Sequence, residues 1–192
     1  MIGDKNFEVL QSRTPRTLSG KHFRPAAVLV PIQERSDGDY LVLTQRAEML
    51  NSHSGQVAFP GGKIDLQDRG PLEAALRESQ EEIGITPSHV RILGQLDQVT
   101  ATSNFLVTPF VGLIPSPYEF SLNQNETTAV FSVPVSVLMD PRSLWVDTTR
   151  YPGWGPIYHF QYQEWDIWGA TARIVKQLLE LVYGFQAQDH SH

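Results

Sequence analysis

Short apolar runs alternate with polar, turn-forming segments over most of this chain. Ala26–Pro31 and Tyr40–Thr44 are apolar runs joined by a polar stretch that contains glycine, which predicts a β-hairpin. Val90–Leu96, Phe105–Ile114 and Ile157–Tyr162 alternate or run apolar in the same way, and each is a predicted strand. The pattern therefore predicts a protein rich in β-strands.

Two segments have the three- and four-residue spacing of amphipathic helices. The first opens at Pro71 and is followed by Gly84, a residue type that commonly ends helices. The second is predicted from Ile167 to Tyr183, and a shorter helix is predicted from Ser132 to Met139. Mixed strands with two strong helices predict an α+β domain or a layered α/β/α domain.

The chain has 192 residues, of which 41% are hydrophobic, and this length favours one domain. We predict a single domain over residues 25–185, with an N-terminal arm at 1–24 and a C-terminal tail at 186–192. The first twenty residues lack the apolar core of a signal peptide. The apolar stretches are far shorter than the roughly 20 residues of a membrane helix. The expectation is a cytoplasmic protein with no membrane partner.

The charge and the cysteine content exclude several classes of function. The chain has 21 acidic and 15 basic residues, for a net charge of −6, so it lacks the broad positive field that nonspecific nucleic-acid binding requires. We therefore expect no nucleic-acid partner. The chain has no cysteine, which excludes disulfides, thiolate nucleophiles, zinc–cysteine sites and iron–sulfur clusters.

The first strong helix carries a group of carboxylates. On a helix, Glu78, Glu81 and Glu82 fall within an arc of roughly 100°, centred about 130° from the apolar face of Leu72 and Ile83. Three like charges this close destabilise a helix, and the last two also lie near its negative C-terminal end. Either the face is simply solvated, or a divalent cation compensates the charge. Clustered carboxylate oxygens suit Mg²⁺ or Mn²⁺.

The segment before this helix favours the second interpretation. Phe59–Gly62 is a loop with two adjacent glycines, which allow a backbone to approach a ligand closely. The carbonyl oxygens of this loop are additional candidate metal ligands. The sequence therefore predicts a metal site between the loop and the acidic helix.

The segment from Gly61 to Ile85 resembles the Nudix box, Gly-x5-Glu-x7-Arg-Glu-U-x-Glu-Glu-x-Gly-U, in which U is hydrophobic. The matching positions of its second half are Arg77, Glu78, Glu81, Glu82, Gly84 and Ile85. The first half departs from the pattern: Asp68 stands at the first acidic position and is followed by eight residues rather than seven, and Ser79 replaces a hydrophobic residue. No metal-ligand position is lost, and the resemblance gives no role to Asp68.

Leu43–Ala47 and Gly55–Gly62 are similar to the signature of the coenzyme A pyrophosphatase branch of Nudix hydrolases, Leu-Leu-Thr-x-Arg-Ser/Ala-x3-Arg-x3-Gly-x3-Phe-Pro-Gly-Gly. The spacing agrees throughout, and one position departs, since Asn51 stands where the branch usually has arginine. Three segments further along also resemble this branch: Val107–Val111, Glu126–Pro134 and Trp168–Ala172. The likeness extends from about residue 25 to about residue 180.

The resemblance implies a Nudix fold, in which a mixed, curved β-sheet lies between helices. It also implies metal-dependent hydrolysis of a phosphoanhydride with Mg²⁺ or Mn²⁺. The implied metal ligands are Glu78, Glu81, Glu82 and the Gly61 carbonyl. Arg77 would orient the glutamates, and Glu126 would act as general base or as an extra ligand. Water is then the nucleophile, which is consistent with the missing cysteine.

Candidate substrate-binding residues are Arg46, His53 and Lys63, each of which has a structural alternative such as a surface ion pair or a solvated side chain. The resemblance points to coenzyme A or its thioesters, cleaved to 3′-phospho-AMP and a 4′-phosphopantetheine product. Asn51 favours another dinucleotide instead, such as ADP-ribose, NADH or a dinucleoside polyphosphate. A nucleotide sensor without turnover is a third alternative, and the sequence leaves a homodimer open.

Overall fold

The computed structural model describes residues 5–18, 22–47, 55–149 and 155–186. In these ranges the strands are β1 (Arg24–Arg35), β2 (Gly38–Arg46), β3 (Val57–Ala58), β4 (Gly61–Lys63), β5 (Arg91–Gln95), β6 (Val99–Ala101), β7 (Phe105–Leu113), β8 (Thr127–Pro134), β9 (Leu144–Asp147), β10 (Ile157–Tyr162) and β11 (Trp165–Trp168). The α-helices are α1 (Glu8–Ser12), α2 (Pro71–Ile83), α3 (Val135–Leu138) and α4 (Gly169–Tyr183). Single 3₁₀ turns lie at Pro87–His89 and Pro141–Ser143.

Within the described residues, the main sheet is mixed and has eight strands. Its order is β3-β2-β1-β7-β5, with β4 also paired to β1, β6 to β7 and β8 to β2. β1 and β7 run parallel, and the other pairs in this sheet are antiparallel. The predicted hairpin is confirmed as β1 and β2, which meet at the Arg35–Gly38 register pair. A second, antiparallel sheet has the order β11-β10-β9.

Alternating residues of β1 direct their side chains to opposite faces of the main sheet, as strand geometry requires. Leu29 packs with Ile83 of α2 on one face. Val30 packs with Leu178 of α4 on the other. All four side chains are at most 2% exposed. The sheet therefore lies between two helical layers, and the predicted α+β class with an α/β/α sandwich is confirmed.

Two predicted helix boundaries are wrong because strand pairing overrides local periodicity. The predicted helix from Ile167 begins instead at Gly169, since Trp165–Trp168 pairs with β10 as β11. The segment predicted as helical from Ser132 remains a strand through Pro134, because β8 pairs along β2. In the described part of the chain, no helix has the length and apolar character to cross a membrane.

The predicted N-terminal arm contributes to the core. Leu10 of α1 is 3% exposed, and the Asn6 N–H donates a hydrogen bond to the Val182 carbonyl at 2.8 Å. Gly94 of β5 has a φ of +154°, and a Cβ there would lie 2.5 Å from the Leu10 carbonyl oxygen. Glycine therefore lets α1 lie directly against β5. The domain boundary at residue 24 stays a prediction.

Candidate active site

Helix α2 carries the acidic segment and has well-defined ends. Pro71 occupies its first turn, and Gly84 ends it in the left-handed conformation, with a φ of 74°. Ser79, which replaces a hydrophobic residue of the Nudix pattern, is fully buried. Its hydroxyl donates to the Ala75 carbonyl at 2.6 Å, so the buried polar group is satisfied within the helix.

Glu78, Glu81 and Glu82 of α2 differ in burial, which corrects the prediction that they project together from one face of the helix. Glu82 is only 4% exposed and belongs to the buried side of the helix, next to Ile83. Glu78 is half-buried. The Glu81 side chain is 55% exposed. The sheet edge at β4 covers part of the face that helical geometry alone assigned to solvent, and this contact buries Glu82.

Glu82 is a buried carboxylate whose negative charge is only partly compensated by its neighbours. Its Oε2 accepts the Gly61 N–H at 3.1 Å, and its Oε1 lies 3.7 Å from Arg46 Nη1. Burial raises the pKa of Glu82 to about 7, against the opposing effects of the Gly61 N–H and Arg46. The nearby carboxylates of Glu78 and Glu126 raise it further. Added positive charge at this point would stabilise the ionised form.

The two loop glycines allow the backbone to lie against both the sheet and the acidic helix. A Cβ on Gly61, where φ is +151°, would lie 2.3 Å from the Ala27 carbonyl oxygen. A Cβ on Gly62 would lie 2.4 Å from Cδ of Glu78. Gly61 is therefore required by the adjacent strand, and Gly62 by the carboxylate of Glu78.

Arg77 connects the helix to the loop that precedes it. Its Nε and Nη2 donate to the two carboxylate oxygens of Asp68 at 3.0 Å each, and the Asp68 side chain is only 2% exposed. Its Nη1 donates to Glu78 at 2.9 Å and to Glu81 at 3.3 Å. The hydrogen bonds to Asp68 raise the pKa of Arg77, and those from Arg77 lower the pKa of Asp68. The Nudix resemblance assigns no role to Asp68, but its bidentate pair with Arg77 fixes the position of that guanidinium.

We expect Asp68→Asn to lower kcat about tenfold, because an amide cannot accept both guanidinium hydrogen bonds and Arg77 then orients Glu78 less well. Steady-state kinetics with a diphosphate substrate measures this change. Asp65→Asn is the matched control, since the Asp65 side chain is half exposed and reaches Arg77 only at 3.6 Å. Equal kcat values for the Asp68 variant and the wild type would show that the pair is not needed for orientation.

A cavity of about 470 Å³ opens between the acidic helix and the second sheet. Six of the predicted site residues line it together: Arg46, Gly61, Lys63, Glu78, Glu82 and Glu126. Arg77 and Glu81 lie outside its lining. Arg77 donates to the lining residue Glu78, and Glu81 accepts a hydrogen bond from Arg77. His53 and Asn51 lie outside the described residues. The predicted roles of all these residues stay predictions.

Arg46 and Glu126 approach the glutamates from the sheet and from the segment before β8. Among the described residues, Arg46 Nε is buried without a hydrogen-bond partner. A buried donor without a partner is costly, so a hydrogen bond from this atom to a ligand would be favourable. Glu126 is half-buried, and its backbone carbonyl accepts the Ala47 N–H at 2.9 Å. This hydrogen bond ties Glu126 to the end of β2, which also carries Arg46.

The opposite wall of the cavity consists of residues that sequence analysis did not assign to the site. Phe105, Trp168 and Arg173 belong to it. The Arg24 guanidinium lies 4.2 Å from the centroid of the Phe105 ring. The sequence signals for this wall were the resemblance of Trp168–Ala172 to the coenzyme A pyrophosphatase branch and the helical periodicity of α4. That periodicity places Arg173 one turn after Ala170, another lining residue.

The donor set around Glu78 and Glu82 fits a hard divalent cation. The available atoms are carboxylate and carbonyl oxygens, the ligands that Mg²⁺ and Mn²⁺ prefer. In the described ranges, no three His, Asp or Glu side chains are arranged to hold a metal ion. Glu78 instead contacts Arg77, and Glu82 contacts Gly61. A bound cation would replace these contacts and would compensate the buried charge of Glu82.

Solved structures identify the fold class of the chain. It superposes on a C. elegans Ap4A hydrolase with a TM-score of 0.51 and 20% identity, over 58% of this chain and 80% of that one. It superposes on a MutT/nudix family protein from Enterococcus faecalis with a TM-score of 0.52 and 14% identity, over 87% and 64% of the two chains. The fold is therefore the Nudix fold, as the sequence resemblance implied.

Sequence relatives define the family more closely. A model of the NUDIX domain matches residues 22–155. The "Uncharacterized Nudix hydrolase NudL" of Yersinia enterocolitica is 42% identical over 178 residues, covering 90% of this chain and 88% of that protein. The protein of the same name from Photorhabdus laumondii is 39% identical, covering 92% and 94%. The chain belongs to the Nudix hydrolase family, whose members generally hydrolyse diphosphate linkages with divalent metal ions.

Proposed function

We propose that this enzyme hydrolyses the diphosphate bond of coenzyme A or of its thioesters, giving 3′-phospho-AMP and a 4′-phosphopantetheine product. The observation that carries the proposal is the location of the coenzyme A pyrophosphatase signature. Arg46 of its first segment and most residues of Gly55–Gly62 line the cavity beside Glu78 and Glu82. This location supports a role in substrate binding for Arg46 and for the lining residues of Gly55–Gly62.

Glu78 and Glu82, with the Gly61 carbonyl and Glu81, are the residues that would hold the metal ions. When bound, such ions neutralise the diphosphate, lower the pKa of a coordinated water and stabilise the leaving phosphate. Without them the carboxylates of the cavity would repel a diphosphate. Arg77 keeps Glu78 in place through its Nη1 hydrogen bond. Arg46 and Lys63 lie on the cavity wall, where each is able to donate to a phosphate oxygen.

Glu126 is the proposed general base. Its carboxylate is close enough to Glu78 and Glu82 to raise the pKa of both, so it faces the same part of the cavity. A base at this position accepts a proton from the attacking water at a carboxylate oxygen. Its attachment to Ala47 at the end of β2 fixes the backbone from which it reaches the cavity. Phosphoryl transfer requires mainly such positioning and charge stabilisation.

Product analysis tests the substrate assignment. We expect purified protein with Mg²⁺ or Mn²⁺ to convert coenzyme A into 3′-phospho-AMP and 4′-phosphopantetheine, separated by chromatography, and chelation to stop the reaction. ADP-ribose, NADH and a dinucleoside polyphosphate form the comparison panel. Efficient cleavage of one of these without cleavage of coenzyme A would overturn the substrate but retain the reaction class. Binding without turnover of any of them would instead identify a nucleotide sensor.

A further inference from the structure

A second cavity, of about 420 Å³, lies beside the first and has the opposite charge. We call it the basic cleft, and the residues of its lining that matter here are Arg16, Thr100, Tyr158, Arg173, Lys176 and Glu180. Three of these side chains are cationic and one is anionic. This local excess of positive charge stands out in a chain whose net charge is −6.

The cations of the basic cleft are held by the fold. The Arg16 backbone N–H donates to Asp97 at 2.7 Å and the Arg16 backbone carbonyl accepts the Gln98 N–H at 3.0 Å, so the backbone that carries this arginine is fixed beside the cleft. The Lys176 ammonium lies 5.2 Å from the centroid of the Tyr158 ring and also contacts Glu180. The Lys176 side chain is 21% exposed, so most of it packs against the walls of the cleft.

The basic cleft is continuous with the cavity that holds the glutamates. Thr100 and Arg173 line both cavities. Helix α4 connects them, since Ala170 and Arg173 line the first cavity and Arg173 and Lys176 line the second. Residues three apart on a helix are separated by about 4.5 Å along its axis. A ligand that fills the first cavity therefore lies within one helical turn of the cationic side chains of the basic cleft.

We propose that the basic cleft binds a second phosphate of the substrate, a phosphomonoester on its ribose, while the glutamate cavity holds the diphosphate. The inference rests on the proposed function, because coenzyme A carries both a diphosphate and a ribose 3′-phosphate. A phosphomonoester near neutral pH has close to two negative charges and three acceptor oxygens, which suits a group of lysine and arginine donors. The basic cleft would then select substrates with this phosphate over those without it.

The matched substrate pair is coenzyme A and dephospho-coenzyme A, which differ only in that phosphate. We expect the wild type to favour coenzyme A by at least about tenfold in kcat/KM. Lys176→Met and Arg16→Gln should each lower kcat/KM for coenzyme A about three- to tenfold, through a higher KM, and leave dephospho-coenzyme A within about twofold. Arg142→Gln is the control, since Arg142 is exposed outside both cavities and pairs with Asp140. Equal losses on both substrates, or no loss on coenzyme A, would overturn the proposal.

Binding to metal-free protein separates this proposal from the proposed function. By calorimetry, we expect adenosine 3′,5′-bisphosphate to bind at least about tenfold more tightly than AMP, and Lys176→Met to remove that difference. This result supports the basic cleft even if coenzyme A is not hydrolysed. Inorganic phosphate binding as tightly as the bisphosphate, and lost in Lys176→Met, would show a site for free phosphate and overturn the proposal. Equal binding of bisphosphate and AMP would overturn it too.

Discussion

Glu82→Gln is expected to lower kcat by at least about 100-fold without unfolding the protein, because it removes the most buried of the proposed metal ligands. Glutamine has nearly the same shape and retains an oxygen that accepts the Gly61 N–H. The loss should therefore appear in turnover and in metal affinity, measured by kinetics at saturating Mg²⁺ or Mn²⁺ and by metal titration. Circular dichroism of the variant should match that of the wild type.

The same substitution is expected to stabilise the metal-free protein in a pH-dependent way. The pKa of Glu82 is raised from an ordinary value of 4.5 to about 7 by burial. Between these values the folded state retains a proton that the unfolded state has released, so the free energy of unfolding of the wild type falls as pH rises. Glutamine does not titrate. In chelator, the free energy of unfolding of the variant should rise by about 3 kcal/mol relative to that of the wild type between pH 4 and pH 8.

Glu81→Gln provides the contrast, because its side chain is more than half exposed. If Glu81 is also a ligand, as the Nudix resemblance implies, its turnover should fall by orders of magnitude as well. Because the carboxylate of Glu81 is exposed, its replacement should leave the thermal stability close to that of the wild type. Near-normal turnover in both variants would refute the proposed metal site.

The features that were predictable from sequence are those with local or motif signals. The β1–β2 hairpin follows from two apolar runs around a polar turn, and its register needs no information from elsewhere in the chain. Glu78 and Glu82 were identifiable because the Nudix pattern fixes them relative to Arg77. Their different burial was not predictable, because it results from the contact between α2 and β4.

The features that were not predictable depend on contacts between distant segments. The Asp68–Arg77 pair joins a loop to a helix, and its spacing departs from the pattern by one residue. Arg173 reaches the cavity because α4 crosses the face of the sheet opposite to α2, which follows only from tertiary packing. Periodicity showed that α4 is amphipathic, but it did not show which polar residue borders a cavity.

Gly62→Ala is expected to lower kcat by about 10- to 100-fold with a small effect on thermal stability. A Cβ at this position would lie 2.4 Å from Cδ of Glu78, so one of the two must move. The end of a glutamate side chain moves at little cost, which spares the fold but displaces a proposed ligand. Displacements of about 1 Å at a catalytic group cost about 100-fold in rate. Kinetics and thermal unfolding of the same preparation measure both effects.

Substitutions at two other glycines are controls for Gly62→Ala. Gly70→Ala introduces the same methyl group where no atom lies within 4 Å, so its kcat should equal that of the wild type. Gly61→Ala places a Cβ 2.3 Å from the backbone carbonyl oxygen of Ala27 in β1, at a φ of +151°. Neither a shift of β1 nor a change of this φ is possible without a large free-energy cost. The substitution should therefore destabilise the protein itself. Loss of folding in Gly62→Ala, rather than loss of turnover, would mean that Glu78 is held rigidly and that the loop, not the carboxylate, yields.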